Sequence, residues 1–409
     1  MSASLVGSEM CIRDRMKNQL AGYAHSERDN LIINSDNMPL YLKGHLLNKS
    51  SPVKAALQLF STYESNQSFS WPSGDIDNPN TFITDVYGLI YLALTRTDIE
   101  LCKNKYGLCI TNETHTCITN WLKETENPNY LTMHINDDKI YRTTARDIQD
   151  ITTSIRTALR NLLEYAEIKT VPMQNTPSEL RNMKEFFDAS VYSTIKYSLF
   201  TYTPYFIMDN MIEILIKKIN ENIKTINSTK FLPKIQHAIP VTYKVESYYR
   251  HLIINLPVFV SYNDTIDLAS SENADHIDLA ARLLQHYSTS FDNLELAFNI
   301  IGKVLAKQLS VAFINNNYNF RHQEPIFDNH VSMIFNACCQ VIVETNDGRT
   351  PEERLVGFTR YILSNPAFPH KYIQTFSSLL STFATGHFLD INYMVSLTRL
   401  VSESAAEIS

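Results

Sequence analysis

Glycine is scarce in this chain, with ten residues in 409. Barrels and Rossmann-type sheets lean on Gly-rich turns, so the scarcity argues against both. The common catalytic signatures are missing too: there is no Walker sequence, no GxGxxG, no HExxH and no GxSxG. Six cysteines form no regular framework, and Cys338 and Cys339 are adjacent. That pattern reads as reduced thiols inside a cell, not as a disulfide scaffold of a secreted protein. No apolar run approaches the length of a membrane span. No repeat recurs at a fixed period, which weighs against a solenoid.

What is present describes a globular chain. The hydrophobic fraction is 44% and the charged fraction 19%, outside the range of disordered sequences. Net charge is -7, so contact with nucleic acid would need a local basic patch. Apolar residues recur mostly at three or four positions. Ile148, Ile151, Ile155, Leu159 and Leu162 predict a helix over 143–169, with Thr144 and Asp147 as a capping box. Ser51-Pro52 and Thr350-Pro351 each read as an N-cap followed by Pro at the first helical position. Residues 82–94 (FITDVYGLIYLAL) are apolar enough for a buried helix or a strand. The predicted class is mainly α, a multi-helix globular protein in one or two helical lobes, with little β.

The densest stretch is 182–227. It reads as two long helices with a Thr-Tyr-Thr-Pro break, Pro204 opening a second helix to Ile226. Its aromatic residues (Phe186, Phe187, Tyr192, Tyr197, Phe200, Tyr202, Tyr205, Phe206) fit core packing better than base stacking. The expected organisation is a leader over 1–15, a polar arm over 16–50, and an N-terminal helical region over 51–170. A central spine with a basic run follows over 171–255, then a C-terminal helical region over 256–409.

No catalytic constellation stands out, and no cofactor is expected. Cys102, Cys109, His115 and Cys117 cluster, but at spacings that suit core thiols better than zinc. Asp75 with Asp77, and Asp137 with Asp138, are the acidic pairs that could take a divalent ion, yet they match no loop motif. The charge pattern is more informative. Arg142, Arg146, Arg156 and Arg160 punctuate the helix over 143–169. Lys217, Lys218, Lys224, Lys230, Lys234, Lys244 and Arg250 form the strongest positive bias of the chain. These are the candidate RNA contacts, with a solvated helix face as the alternative reading.

Two resemblances bear on function. The central FFDASVYSTIKYSLFTYTPYF (186–206), followed by YYRHLIINLPVF (248–259), resembles coat proteins of small double-stranded-RNA viruses of the partitivirus kind. That resemblance implies a helical shell subunit with an RNA-side surface. KIYRTTARDIQDI (139–151) and YSTIKYSL (192–199) resemble segments of bornavirus-type nucleoproteins, which clamp single-stranded RNA between two lobes. Residues 1–15 (MSASLVGSEMCIRDR) resemble a translated sequencing adapter.

Taken together, the residues lead to an expectation of a viral coat or nucleocapsid subunit that self-assembles and packages RNA without catalysis. It would reside in a virion or in the host cytoplasm or nucleus, with no membrane association. The alternatives are a negative-strand-virus nucleoprotein, a cellular helical scaffold and an enzyme without recognisable motifs.

Overall fold

Thr81–Thr84 (TFIT) is a short run of β-branched and aromatic residues, and it forms strand β1. Asp85 then caps helix α4 (Val86–Leu94), all nine residues of which are buried. The apolar block at 82–94 is therefore both of the things its composition allows, a strand and then a helix. In the computed structural model the described residues are 27–35, 38–49, 51–103, 106–136, 139–314, 329–364 and 373–398. The expected leader, Asp137 and Asp138 lie outside them.

The chain divides into two compact units. One comprises Met1–Pro240 with Ile253–Phe259, the other Val241–Leu252 with Val260–Ser409. The fold is mainly α with little β, as the patterning predicts.

The first unit begins with α1 (Glu27–Ile33), α2 (Leu40–Leu47) and α3 (Pro52–Phe60). Residues 40–47, expected to belong to a polar arm, are thus helical, and Tyr41 is in the core. A parallel sheet follows, of order β5-β2-β1-β6. It pairs β2 (Gly107–Thr111), β5 (Glu167–Lys169) and β6 (Tyr205–Phe206) around β1. Helices α5 (Asn112–Glu126) and α6 (Ala145–Tyr165) connect β2 to β5, and the antiparallel hairpin β3 (Leu131–Asn136) with β4 (Lys139–Thr144) lies between them. The α6 cap is a capping box: Thr144 N–H donates to Asp147 Oδ2 at 2.8 Å, and Asp147 N–H to Thr144 Oγ1 at 3.4 Å.

The stretch 182–227 differs from its expectation. Helix α7 (Ala189–Thr201) ends on Tyr202, which takes the left-handed conformation at φ 57°. Pro204 opens no helix. It leads into β6, and its carbonyl accepts the Ile83 N–H at 2.9 Å. Proline has no N–H of its own to leave unpaired at this entry to the sheet. Helix α8 (Asn210–Ile219) starts only at the Asp209 cap, so it has 10 residues and does not run from Pro204 to Ile226. Ile223, Thr225 and Ile226 return instead beside β6, where Tyr205 N–H donates to the Lys224 carbonyl and Ile226 N–H to the Tyr205 carbonyl. Helix α9 (Ser228–Gln236) closes this part of the unit.

The second unit holds α11 (Tyr262–Ala269), α12 (Ala274–His286), α13 (Leu294–Ile314), α14 (Asn329–Glu344), α15 (Pro351–Ser364) and α16 (Ile373–Gly386). Most of α10 (Val241–Ile254) also belongs to it. The α15 start follows the sequence reading, with Glu353 N–H donating to Thr350 Oγ1 at 3.2 Å. Inside this unit the Lys244 ammonium donates to Asp264 at 2.6 Å, and the Tyr248 hydroxyl donates to the same carboxylate. Among the described residues no helix is long and apolar enough to cross a membrane.

Gly88 allows the β1–α4 turn to close. A Cβ at this position would stand 1.9 Å from Thr84 Oγ1 and 3.2 Å from the Phe206 ring. The Thr84 hydroxyl is held by the Phe206 carbonyl at 2.9 Å, so it cannot swing away without losing a buried partner. Gly88→Ala is expected to destabilise the protein by about 1–3 kcal/mol, through overpacking. A urea titration checks this, and an unchanged midpoint contradicts it.

Candidate active site at the carboxyl ends of the strands

In the parallel sheet the chain moves from β1 outward to β2 and β5 on one side, while β6 lies on the other. The β1–β6 pair is therefore a topological switch point. In open α/β sheets the crevice beyond the strand carboxyl ends at such a point is where ligands bind. Asp85 follows β1 directly, and Asp209 stands three residues past β6. Asp188, the residue before α7, acts electrostatically on Asp85.

Each of these carboxylates is an N-cap. Asp85 Oδ1 accepts the Gly88 N–H at 3.0 Å, and its Oδ2 accepts the Tyr205 hydroxyl. Asp188 Oδ1 accepts the Ser190 and Val191 N–H groups at 2.8 and 3.1 Å. Asp209 Oδ1 accepts the Met211 and Ile212 N–H groups at 2.9 and 3.2 Å, and its Oδ2 accepts the Tyr41 N–H at 2.9 Å. One turn on, Glu213 binds the Ser73 and Gly74 N–H groups, the Thr225 hydroxyl and the Lys217 ammonium. It thereby clamps the 73–75 loop to α8.

Hydroxyls fill the neighbouring space. Ser190 Oγ accepts the Val86 N–H at 2.9 Å and pairs with Thr114 Oγ1 at 2.8 Å. Thr111 Oγ1 joins Thr114 at 2.9 Å and Ser193 at 2.8 Å. Glu113 Oε2, at the α5 N-terminus, is buried without a hydrogen-bond partner.

Burial pushes all three aspartates up. Asp85 is raised to about 7: burial dominates, the Tyr205, Gly88 and Tyr41 hydrogen bonds oppose it, and the Asp188 charge adds to it. Asp188 and Asp209 are each raised to about 6 by burial, against the N–H groups that they accept. The Tyr41, Tyr87 and Tyr205 hydroxyls are pushed well above their ordinary value, first by burial and then by these carboxylates. They stay protonated, so each remains able to donate.

The basic residues singled out in the sequence do not converge on this end. Arg142 is exposed on β4, and Arg146 lies 3.9 Å from Asp150. Arg156 bonds the Gln149 carbonyl, and Arg160 pairs with Glu126. Lys217 bridges Asp75 and Glu213, Lys230 pairs with Asp77, and Lys234 bonds Asn78. The acidic pair Asp75 and Asp77 is thus spent on lysines. Lys218 and Lys224 are exposed. Lys244 is 3% exposed and belongs to the second unit, where Arg250 pairs with Glu246. Burial takes Lys244 out of reach of any phosphate. Cys109 is buried on β2, and burial pushes the Cys102 and Cys117 thiols up to about 11.

Grouped carboxylates are the residue type that holds a hard divalent cation. The carboxylates as folded do not fit one. Both oxygens of Asp85 and of Asp209 accept backbone N–H groups or a tyrosine hydroxyl, and among the described residues no three His, Cys, Asp or Glu side chains converge to hold a metal ion.

Residues 83–218 match a family model described as a PIN domain associated with the TPR-GreAB-C-PIN system. The match covers about a third of the chain and contains Asp85, Asp188 and Asp209. No curated protein and no solved structure matches the chain. The family match overturns the viral reading, in both its partitivirus-like coat and its bornavirus-like nucleoprotein forms. It overturns the scaffold alternative and the expectation of a protein without catalysis as well, since PIN domains are typically nucleases. The style of the aromatic stretch misled, because its rings at Tyr205 and Phe206 are the β6 strand of an α/β core.

The sequence reading missed Asp85, Asp188 and Asp209. Each does carry a local signal, an aspartate immediately before a helical stretch, but Asp85 lies inside a continuous apolar block and was absorbed into it.

These carboxyls hold their protons to higher pH when folded than their ordinary value of 3.8. The stability they contribute is fully present below about pH 4 and is lost as pH rises through about 6 to 7. Asp85→Asn is therefore expected to flatten the fall in urea midpoint between about pH 4 and pH 7. The same fall in wild type and variant contradicts this assignment.

Proposed function

We propose that the first unit is a PIN-type, nuclease-like domain that cleaves phosphodiester bonds of nucleic acid at the carboxyl ends of β1 and β6. The observation that carries this reading is the grouping of Asp85, Asp188 and Asp209 at the switch point, inside the segment that matches the PIN model. A carboxyl raised to about 7 suits proton transfer near neutrality, which is the task of a group that activates an attacking water. The hydroxyl chain through Ser190, Thr114 and Thr111 supports the walls of the site. The substrate class proposed is nucleic acid, RNA or DNA, which share the phosphodiester backbone.

The test is cleavage of an end-labelled single-stranded RNA oligonucleotide by the purified full chain with Mn2+, with a DNA oligonucleotide of the same sequence beside it. Asp85→Asn and Asp209→Asn are each expected to lower the cleavage rate at least ~100-fold while the fold is kept, as for removal of a principal catalytic group. Equal cleavage by wild type and both variants would show a contaminating nuclease and overturn the proposal.

A further inference from the structure

Two tyrosine hydroxyls reach Asp85, and one of them is fixed by the sheet itself. Tyr205 is fully buried on β6, and its hydroxyl donates to Asp85 Oδ2. Its backbone is tied on both sides. It stands opposite Ile83 in the β1 register, its N–H donates to the Lys224 carbonyl at 2.9 Å, and its carbonyl accepts the Ile226 N–H at 3.0 Å. A ring rooted in so constrained a backbone has little freedom to move. Its hydroxyl is a donor set in place before any chemistry starts.

The other groups around Asp85 act differently. The Gly88 N–H, from the helix that Asp85 caps, holds Oδ1 at 3.0 Å. Tyr41, from α2, also hydrogen-bonds Asp85, but its oxygen accepts the Met208 N–H at 2.8 Å and so serves two partners. Asp188, ahead of α7, adds a second negative charge and acts in turn on Cys117 of α5. Tyr87 on α4 and Asp209 ahead of α8 are the remaining ionisable groups of this end. With Gly88 on Oδ1 and Tyr205 on Oδ2, the plane of the Asp85 carboxyl is fixed at both oxygens, and rotating it breaks both bonds. Each carboxylate oxygen has a second lone pair, so both keep room to accept a proton.

From this arrangement we infer that Tyr205 is the positioning residue of the carboxylate end: its hydroxyl, anchored through β6, fixes the Asp85 carboxyl in the orientation and the charged form that the reaction uses. The inference rests on the nuclease-like reading for its consequence, while the hold of the tyrosine on the carboxyl is measurable without it. A donor to a carboxylate favours the charged form. Burial pushes Asp85 up to about 7 against its hydrogen bonds, and Tyr205 supplies the first of these. Without that hydroxyl the carboxyl keeps its proton to higher pH. A protonated carboxyl cannot take a proton from an attacking water, so Tyr205 sets where the rate begins to rise with pH.

Tyr205→Phe tests this, because it removes the hydroxyl and keeps the ring and the strand pairing. Two readouts are followed against pH in the full chain: the Asp85 side-chain carboxyl resonance, assigned with Asp85→Asn, and the cleavage rate on the labelled oligonucleotides. In Tyr205→Phe both midpoints are expected to rise by about 1 pH unit, which slows cleavage ~10-fold near pH 6. An unmoved Asp85 midpoint in folded Tyr205→Phe overturns the inference. A raised Asp85 midpoint beside an unmoved rate profile overturns it too, since the tyrosine then serves the fold alone. Should the variant not fold, the wild type supplies a second measurement. Its Tyr205 hydroxyl proton is expected to shift with pH at the Asp85 midpoint, and a proton that ignores this midpoint contradicts the assignment. A raised Asp85 midpoint in a protein whose wild type cleaves neither oligonucleotide upholds the hold of Tyr205 on the carboxyl and overturns the nuclease reading. Cleavage by the wild type with the Asp85 midpoint unmoved in the variant does the reverse.

Discussion

A helix buried on every side cannot use water to satisfy its first turn. Helix α4 is such a helix, and the rest of the first unit follows from this constraint. Asp85 supplies the acceptor for Gly88, Ser190 supplies one for Val86, and Gly88 keeps the turn tight against Thr84. Capping with a carboxylate brings a charge into the core, and that charge then needs donors of its own. Tyr205 comes from β6 and Tyr41 from α2 to meet that need. The tyrosine donors and the raised carboxyl are consequences of one buried helix start.

The same physics divides what the sequence reveals from what it conceals. Helix α6 is amphipathic, with Ile155, Leu159 and Leu162 buried and Arg160 exposed, so its period and its cap are both readable. The starts at Ser51-Pro52 and Thr350-Pro351 are readable for a similar reason, since cap chemistry is local. The parallel sheet is not. Strands β1 and β6 have four and two residues, both nearly or wholly buried, so they show no alternation of polar and apolar positions. Without those strands the site is invisible, because Asp85 and Asp209 are far apart in sequence and are brought to one end of the sheet only by the β1–β6 pairing.

Charge bias in sequence was a poor guide for a related reason. A run of lysines is a property of the chain, whereas a basic patch is a property of the surface. Lys217 and Lys230 fold back onto Asp75 and Asp77, from a loop some 140 to 150 positions upstream. Lys244 turns inward to Asp264 in a different unit. The positive bias over 217–250 is thus spread between two units and partly neutralised within each.

The choice of cap bears on function. Asn or Ser would accept the same N–H groups as Asp85, Asp188 and Asp209 with similar capping strength and without a buried charge. Aspartate at all three places brings the desolvation that raises each carboxyl, a cost with no return in stability at neutral pH. Buried caps elsewhere in the unit are uncharged, such as Thr111 before α5. Asp98, a fully buried carboxylate elsewhere in the unit, is paired with Arg96, whereas Asp85, Asp188 and Asp209 have no cation beside them in their hydrogen bonds. Fold stability alone explains the caps but not their charge.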